Sequence, residues 1–210
     1  MIDGGETGAG LTQEALYLGR LVMNMLPDQP EPRGLMALML YCEARRGARR
    51  SSTGAYVALG DQDRNLWSAE LVIEAETHLS RAASAGLFGR FQTEAAIQSV
   101  HMQTAQGEPP NAPALVALYD LLVERRPSIG ALVGRALAHA SHHGSSVGLR
   151  LLGEIPAEHV ATYQSFWAAK LHLLQQVGDV DVNECLKTAL ALATDLAARI
   201  YLSTKYGTSS

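Results

Sequence analysis

PAEHVATYQSFWAAKLHLLQQVGDVDVNECLKTALALA, residues 156–193, is the stretch whose reading decides the fold class. Pro156 stands where the first turn of a helix tolerates an imino acid, because the N–H it lacks has no intrahelical partner there. From it Val160, Tyr163, Trp167, Leu171 and Leu174 recur at spacings of three and four, the period of one helical face, up to Gly178. A second helix runs from Val182 to Ala193. Phe166, Ala169, Leu173, Val182, Leu186 and Ala189 then alternate small residues, where two helices cross closely, with large ones between them.

The same rules carry outward along the chain. Thr12 can cap a helix bearing Ala15, Leu18, Val22 and Met25, which ends before Pro27. Gly34 to Gly47 reads as a second helix with the stripe Leu35, Leu38, Met39 and Cys42. A third begins near Asn65 and runs through Trp67, Leu71, Ala75, Leu79 and Ala82, until GLFG at 86–89 supplies a stop that tolerates left-handed backbone. Phe91 to Met102 is the fourth. After the break GEPPNAP at 107–113, Asn111 can cap a helix carrying Leu115, Leu118, Tyr119 and Leu122. Ser128 caps the next, through Val133, Ala136, Leu137 and Ala140. HHGSS interrupts, Ser146 to Gly153 forms a short helix, and Leu196 to Tyr201 closes the chain. At most one short strand pair fits, around Tyr56 to Leu59. The expectation is an all-α protein of about nine or ten helices, stacked as antiparallel pairs in a degenerate tetratricopeptide-like array. It has a flexible tail at 1–11, a single domain at 12–205 and a disordered tail at 206–210.

Composition narrows the function classes. A hydrophobic content of 47% in 210 residues suffices for a buried core, and the net charge of -4 leaves no basic face of the kind that nucleic-acid binders carry. No direct contact of this chain with nucleic acid is expected. The two cysteines, Cys42 and Cys185, lie far apart without metal-ligand spacing, which argues against a disulfide framework or a structural zinc and for a reducing cytoplasm. The opening MIDGGETGAG lacks the charged and apolar regions of a leader, and no run reaches the length of a membrane span.

Chemistry has few seats. His139, His142 and His143 fall at i, i+3 and i+4, a spacing that can hold a metal. They also lie at a helix C-terminus, where imidazoles suit the helix dipole, with no Asp or Glu within several residues, so no metal is expected. His78, His101, His159 and His172 each stand alone. No nucleophile elbow, dinucleotide fingerprint or P-loop occurs, so neither catalysis nor a cofactor is expected. What stands out is the long loop ARRGARRSSTGAYVALGDQDRNLW, residues 44–67, because structureless loops of that length inside a domain are usually functional or disordered. Arg45, Arg46, Arg49 and Arg50 are a phosphate or RNA contact, or simply cations at a helix end. Asp61 and Asp63 are placed to pair with an Arg folded back across the loop. Arg64 is placed to stack on Trp67 or to project to a partner. Arg45, Arg46, Arg49, Asp61, Gln62, Asp63, Arg64 and Trp67 form the candidate interaction or loop-bracing site.

The run LPDQPEPRGLMALMLYCEARRGAR at 26–49, Gly54, the step VAL at 57–59 and DQDRNLW at 61–67 resemble the C-terminal extension of bacterial extracytoplasmic-function sigma factors that carries a degenerate tetratricopeptide-like domain. EALYLGRLVMNML at 14–26, FQTEAAIQSVH at 91–101 and LVALYDLLVERRPS at 115–128 extend the resemblance, which covers Glu14 to about Ala193. It implies a non-catalytic regulatory region following two promoter-reading domains, with RNA polymerase or the sigma-factor core domains as protein partners. Those preceding domains are not in this sequence, so the chain is expected to be an excised domain or a shortened relative. The pattern departs most at IGALVGRALAHASHHGSS, residues 129–146, which has two glycines in or near the helix and two adjacent histidines. The competing class is a small-molecule sensor or enzyme with a pocket between helix pairs. A groove lined by Tyr, Gln and Arg favours a peptide, and a closed apolar pocket favours a small ligand.

Overall fold

The computed structural model of the chain describes residues 4–105 and 111–207. Among these the protein is all-α, with eleven helices and no strand. Among the described residues the sole ladder pairing is one antiparallel bridge between Arg50 and Tyr56, in place of the strand pair expected at 56–59. The chain divides into two compact units. Unit 1 comprises residues 1–48 and 63–109, and unit 2 comprises 49–62 and 110–210.

In unit 1, α1 (Gly4–Met25), α2 (Glu31–Ala44), α3 (Ala69–Ala83) and α4 (Arg90–Ala105) assemble around α2, which packs on each of the other three. The helix α1 starts at Gly4, where a tail was expected up to residue 11, and residues 1–3 lie outside the described ones. Its core-facing side chain is Leu16, with Met23 packed alongside. The expected stripe of Leu18, Val22 and Met25 is exposed instead. The α1 sequence is apolar on several sides, so periodicity did not single out a face. What selects it is Gly19, which lets the backbone close on the sulfurs of Met36 and Met39. In α2 the fully buried residues are Met36, Ala37, Leu40 and Tyr41, and the expected stripe of Leu35, Leu38, Met39 and Cys42 lies half-buried at the flanks. A central helix covered on three sides needs no polar stripe.

The contact of α2 with α4 rests on two missing side chains. A Cβ on Gly34 would lie 2.6 Å from the backbone nitrogen of Gln92. Gly89, immediately before α4, has no side chain to cap that helix, and Glu31 of α2 supplies the cap. Its carboxylate accepts from the backbone N–H of Phe91 (3.0 Å) and of Gln92 (3.1 Å). The helix α3 starts at Ala69, not near Asn65, because the Ser68 hydroxyl accepts from the Leu71 N–H; Asn65 belongs to a single 3₁₀ turn, Arg64–Leu66.

Unit 2 contains α5 (Ala112–Arg125), α6 (Ile129–His143), α7 (Ser145–Gly153), α8 (Ala157–Val160), α9 (Gln164–Val177), α10 (Val182–Leu192) and α11 (Leu196–Tyr206). The expected caps Asn111 and Ser128 accept from the N–H of Ala114 and Ala131. The break at GEPPNAP lies partly outside the described residues. Gly144 and Gly178 take φ of +98° and +69°, the left-handed region a glycine enters at little cost, and turn the chain after α6 and α9. The stripe from Val160 to Leu174 spans two helices, α8 and α9, with a turn between. Val133, Ala136, Leu152, Phe166, Ala169 and Leu173 form one core cluster; Leu171, Leu174, Cys185, Ala189, Leu202 and Tyr206 form another. Gly134 lies under the ring of Tyr119, and Gly148 against Ala136, Ala140 and Leu173. Helix α11 runs to Tyr206, which is buried where a disordered tail was expected; residues 208–210 lie outside the described ones.

Candidate functional site

Residues 49–62 leave unit 1, cross unit 2 as a strap, and return. A local turn shapes the strap. The Ser51 N–H donates to the Ala55 carbonyl (2.9 Å), the Val57 N–H donates to that of Arg49 (3.0 Å), and Gly54 takes φ of +81° between them. Gln62, 8% exposed, anchors the far end by donating from Nε2 to the Val57 carbonyl at 3.2 Å. Across unit 2, Arg50 donates to Asp195 at 2.7 Å, and the rings of Tyr56 and Tyr201 meet edge to face at 5.5 Å. The guanidinium of Arg50 holds the Asp195 carboxyl below the ordinary carboxylate range, with a further contribution from the Ala197 N–H.

Beneath the strap lies an open cleft of about 590 Å³, walled by Tyr56 and Ala58 of the strap, Gln164, Ser165 and His172 of α9, and Asp195, Tyr201, Lys205 and Tyr206 at and along α11. Lys205 stands one turn after Tyr201, so the two share a face of α11. Its ammonium donates to the Tyr201 hydroxyl at 2.8 Å and lies 5.2 Å and 5.7 Å from the ring centroids of Tyr201 and Tyr206. That hydrogen bond raises the Lys205 pKa against the opposing effect of burial, so the charge is kept. His172 reaches the Tyr206 hydroxyl through Nδ1 (3.3 Å) and Gln176 through Nε2 (3.2 Å). Burial first, and then the neighbouring Lys205, push its pKa down, so it is neutral at pH 7. The cleft thus combines aromatic faces, amide and hydroxyl groups and one cation. Unit 1 carries a shallower trough of about 680 Å³ between α3 and α4, lined by Val72, Ile73, Glu76, Arg81 and Met102 among others, with no aromatic residue.

The expected loop site divides between the two units. Arg45 is buried, donating to Gln98 (2.7 Å) and to the carbonyl of Tyr41 (3.4 Å). Arg46 donates to Glu43 at 2.8 Å. Asp63 accepts from the backbone and side-chain N–H groups of Asn65, both at 3.0 Å, and so caps its own turn. Trp67 packs on the α2 core as an apolar plate, its indole N–H buried without an acceptor among the described residues. Asp61, Arg49 and Arg64 are exposed. The expected pairing of Asp61 or Asp63 with an arginine of the loop does not form, since the short side chain of Asp63 is taken by its own turn. The arginine that does pair across the strap is Arg50, with an acid distant in sequence. The residues missed by sequence reasoning are those of the cleft. The signal for them was the spacing Tyr201, Lys205 and Tyr206 in a segment read as helix end and tail.

Among the described residues no three His, Cys, Asp or Glu side chains converge as a metal set. His139 instead approaches Asp120 at 3.0 Å through Nε2, and Arg135 donates to the same oxygen at 2.5 Å. Burial alone raises the Asp120 pKa, but these two hydrogen bonds outweigh it and the net shift is downward. Cys185 is buried, which pushes its thiol up to about 11, far from a reactive thiolate. No helix among the described residues is long and apolar enough to cross a membrane.

Residues 4–83 match the model of a family of unknown function, DUF6596. An uncharacterized protein of Rhizobium meliloti (strain 1021) is 31% identical over 195 residues, taking in 92% of this chain and 46% of the relative. The chain therefore spans about half the length of the curated relative it matches. No solved structure matches the chain.

Proposed function

We propose that the chain is a non-catalytic, tetratricopeptide-like interaction region acting in the cytoplasm in transcription initiation, where it engages RNA polymerase or the core domains of a sigma factor. The observation that carries the reading is the cleft of unit 2. An open depression walled by Tyr56, Tyr201 and Tyr206 offers the tyrosine surface that interfaces concentrate, with Gln164 and Lys205 as polar groups beside it. The link to sigma factors rests on the resemblance over 14–193, and the matching family model is one met in sigma-factor-associated proteins. The test is affinity capture from native cytoplasm with the full chain as bait, beside a Tyr56→Ala, Tyr201→Ala bait. Recovery of polymerase subunits or a sigma factor by the first and not the second is the expected result. Absence of both from the wild-type eluate refutes the reading. A second reading, a small-molecule sensor, draws on the cleft volume of about 590 Å³, which lies within the range of ligand pockets. A thermal shift produced by a metabolite fraction together with a failed capture favours it.

A further inference from the structure

Resting on the interaction reading, we infer that the cleft of unit 2 takes a short acidic peptide segment, one carboxylate on the Lys205 ammonium and an apolar side chain beside Tyr56, Tyr201 and Tyr206. Charge points to this occupant. Among the described residues Lys205 makes no ion pair, and its 2.8 Å bond to Tyr201 uses one of its three donors. The acid in the cleft wall, Asp195, is already met by Arg50 at 2.7 Å, so it does not cancel Lys205. His172 stays neutral, held between Tyr206 and Gln176. The exposed Asp61 of the strap is the remaining carboxylate whose field reaches Lys205, and the two form no ion pair. The Lys205 ammonium is thus the charge in the cleft wall without a contacting counter-ion among the described residues.

The surroundings make that charge selective. The rings of Tyr201 and Tyr206 lie 5.2 Å and 5.7 Å from the ammonium, and an apolar neighbourhood strengthens a carboxylate–ammonium contact relative to open water. Gln164 and Ser165, in the first turn of α9, add an amide and a hydroxyl beside it. The open side of the cleft lets a chain enter and leave, and the volume of about 590 Å³ suits a few residues of peptide better than a folded domain. Tyr56 and Ala58 of the strap line the cleft, and Tyr56, packed on Tyr201, extends the aromatic surface of α11 beneath the segment.

The probe is an array of randomised hexapeptides synthesised in pairs, one member carrying Asp or Glu and its twin the isosteric Asn or Gln. The purified full chain is expected to retain the acidic member at least about tenfold more strongly, roughly 1.4 kcal/mol. Lys205→Met keeps the aliphatic stem and should abolish the preference, while Lys205→Arg should restore it. Tyr56→Ala should weaken all retained peptides without changing the preference. Circular dichroism melts confirm that each variant is folded. Equal retention of acidic and amide twins, a preference that survives Lys205→Met, selection of basic segments, or no retained peptide overturns the inference. The capture experiment, repeated with Lys205→Met, separates the two levels. Polymerase or sigma factor still captured beside a failed array sinks this inference alone, whereas a wild-type bait that captures neither sinks the broader reading whatever the array gives.

Discussion

Glu31 and Gly89 should behave as one energetic unit, and a double-mutant cycle can show it. The first N–H groups of a helix have no partner within it, and the residue before α4 is a glycine, which has no side-chain oxygen to offer. The Glu31 carboxylate takes its place with bonds of 3.0 Å and 3.1 Å to Phe91 and Gln92, the latter residue buried. Hydrogen bonds to a charged group contribute about 1.5 to 3 kcal/mol each, and losing a helix cap costs about 0.5 to 2 kcal/mol. For a partly exposed pair, Glu31→Ala should therefore cost about 2 to 3 kcal/mol. A Cβ on Gly89 would sit inside the same carboxylate and must expel it, so Gly89→Ala should cost about 2 kcal/mol by removing the same two bonds. In the Glu31→Ala background the three atoms nearest that Cβ are gone, and the double variant should lose little more than Glu31→Ala alone. The coupling energy is then about 2 kcal/mol. The chain has two tryptophans, Trp67 in unit 1 and Trp167 in unit 2. Urea titrations in a Trp167→Phe background, followed by fluorescence, report unit 1 alone. Additive losses, or a Glu31→Ala cost under about 0.5 kcal/mol, the ordinary range of surface changes, would refute the reasoning.

Three further outcomes follow from the same structure. Gly148→Ala places a Cβ 2.6 Å from that of Ala140 and 2.8 Å from the Ala136 carbonyl oxygen; overpacking should destabilise unit 2 by about 1 to 3 kcal/mol, read from Trp167 fluorescence in urea. Trp67→Ala should cost unit 1 about 3 to 5 kcal/mol, while the exposed Arg64→Ala should move the melting curve by less than about 0.5 kcal/mol; a large Arg64 effect would make that side chain a brace after all. His101, whose pKa is lowered by burial and then by Arg45, takes up protons more readily unfolded than folded. Stability should therefore be full above the unfolded histidine value of about 6.5 and fall as pH drops below it, and His101→Gln should flatten that fall in melts between about pH 7.5 and 5.

The sequence disclosed the helices better than their faces. Asn111 and Ser128 cap where their side chains promised, because a cap is a matter of three adjacent residues. In α1 and α2 the apolar residues run round the helix, and the buried side depends on where Gly19 admits the Met36 and Met39 side chains and Gly34 the backbone of Gln92. Such approaches are tertiary facts that no spacing encodes. The glycines at 130 and 134 that broke the family pattern have a physical reading only once the Tyr163 hydroxyl is seen beside Gly130 and the Tyr119 ring over Gly134. The loop was legible as an interruption, but not its partner, since the acid that meets Arg50 lies in the N-cap of the last helix. The cleft was hidden for the same reason, being assembled from the strap, α9 and α11.

The strap also sets a waiting time during synthesis. Arg50 and Asp195 are separated by 145 residues, and ribosomes add about 5 to 20 residues per second, so Asp195 is joined to the chain roughly 7 to 29 s after Arg50. In that interval α3 and α4 join α1 and α2, which were made before Arg50. The strap has its own turn through Ser51 and Ala55, but neither the acid that Arg50 meets nor the Tyr201 ring that Tyr56 abuts yet exists. A nascent chain stalled after α4 has left the exit tunnel but before Asp195 is added should therefore show unit 1 protected from a protease and the strap open to it. Protection of the strap should appear only once α11 has left the exit tunnel.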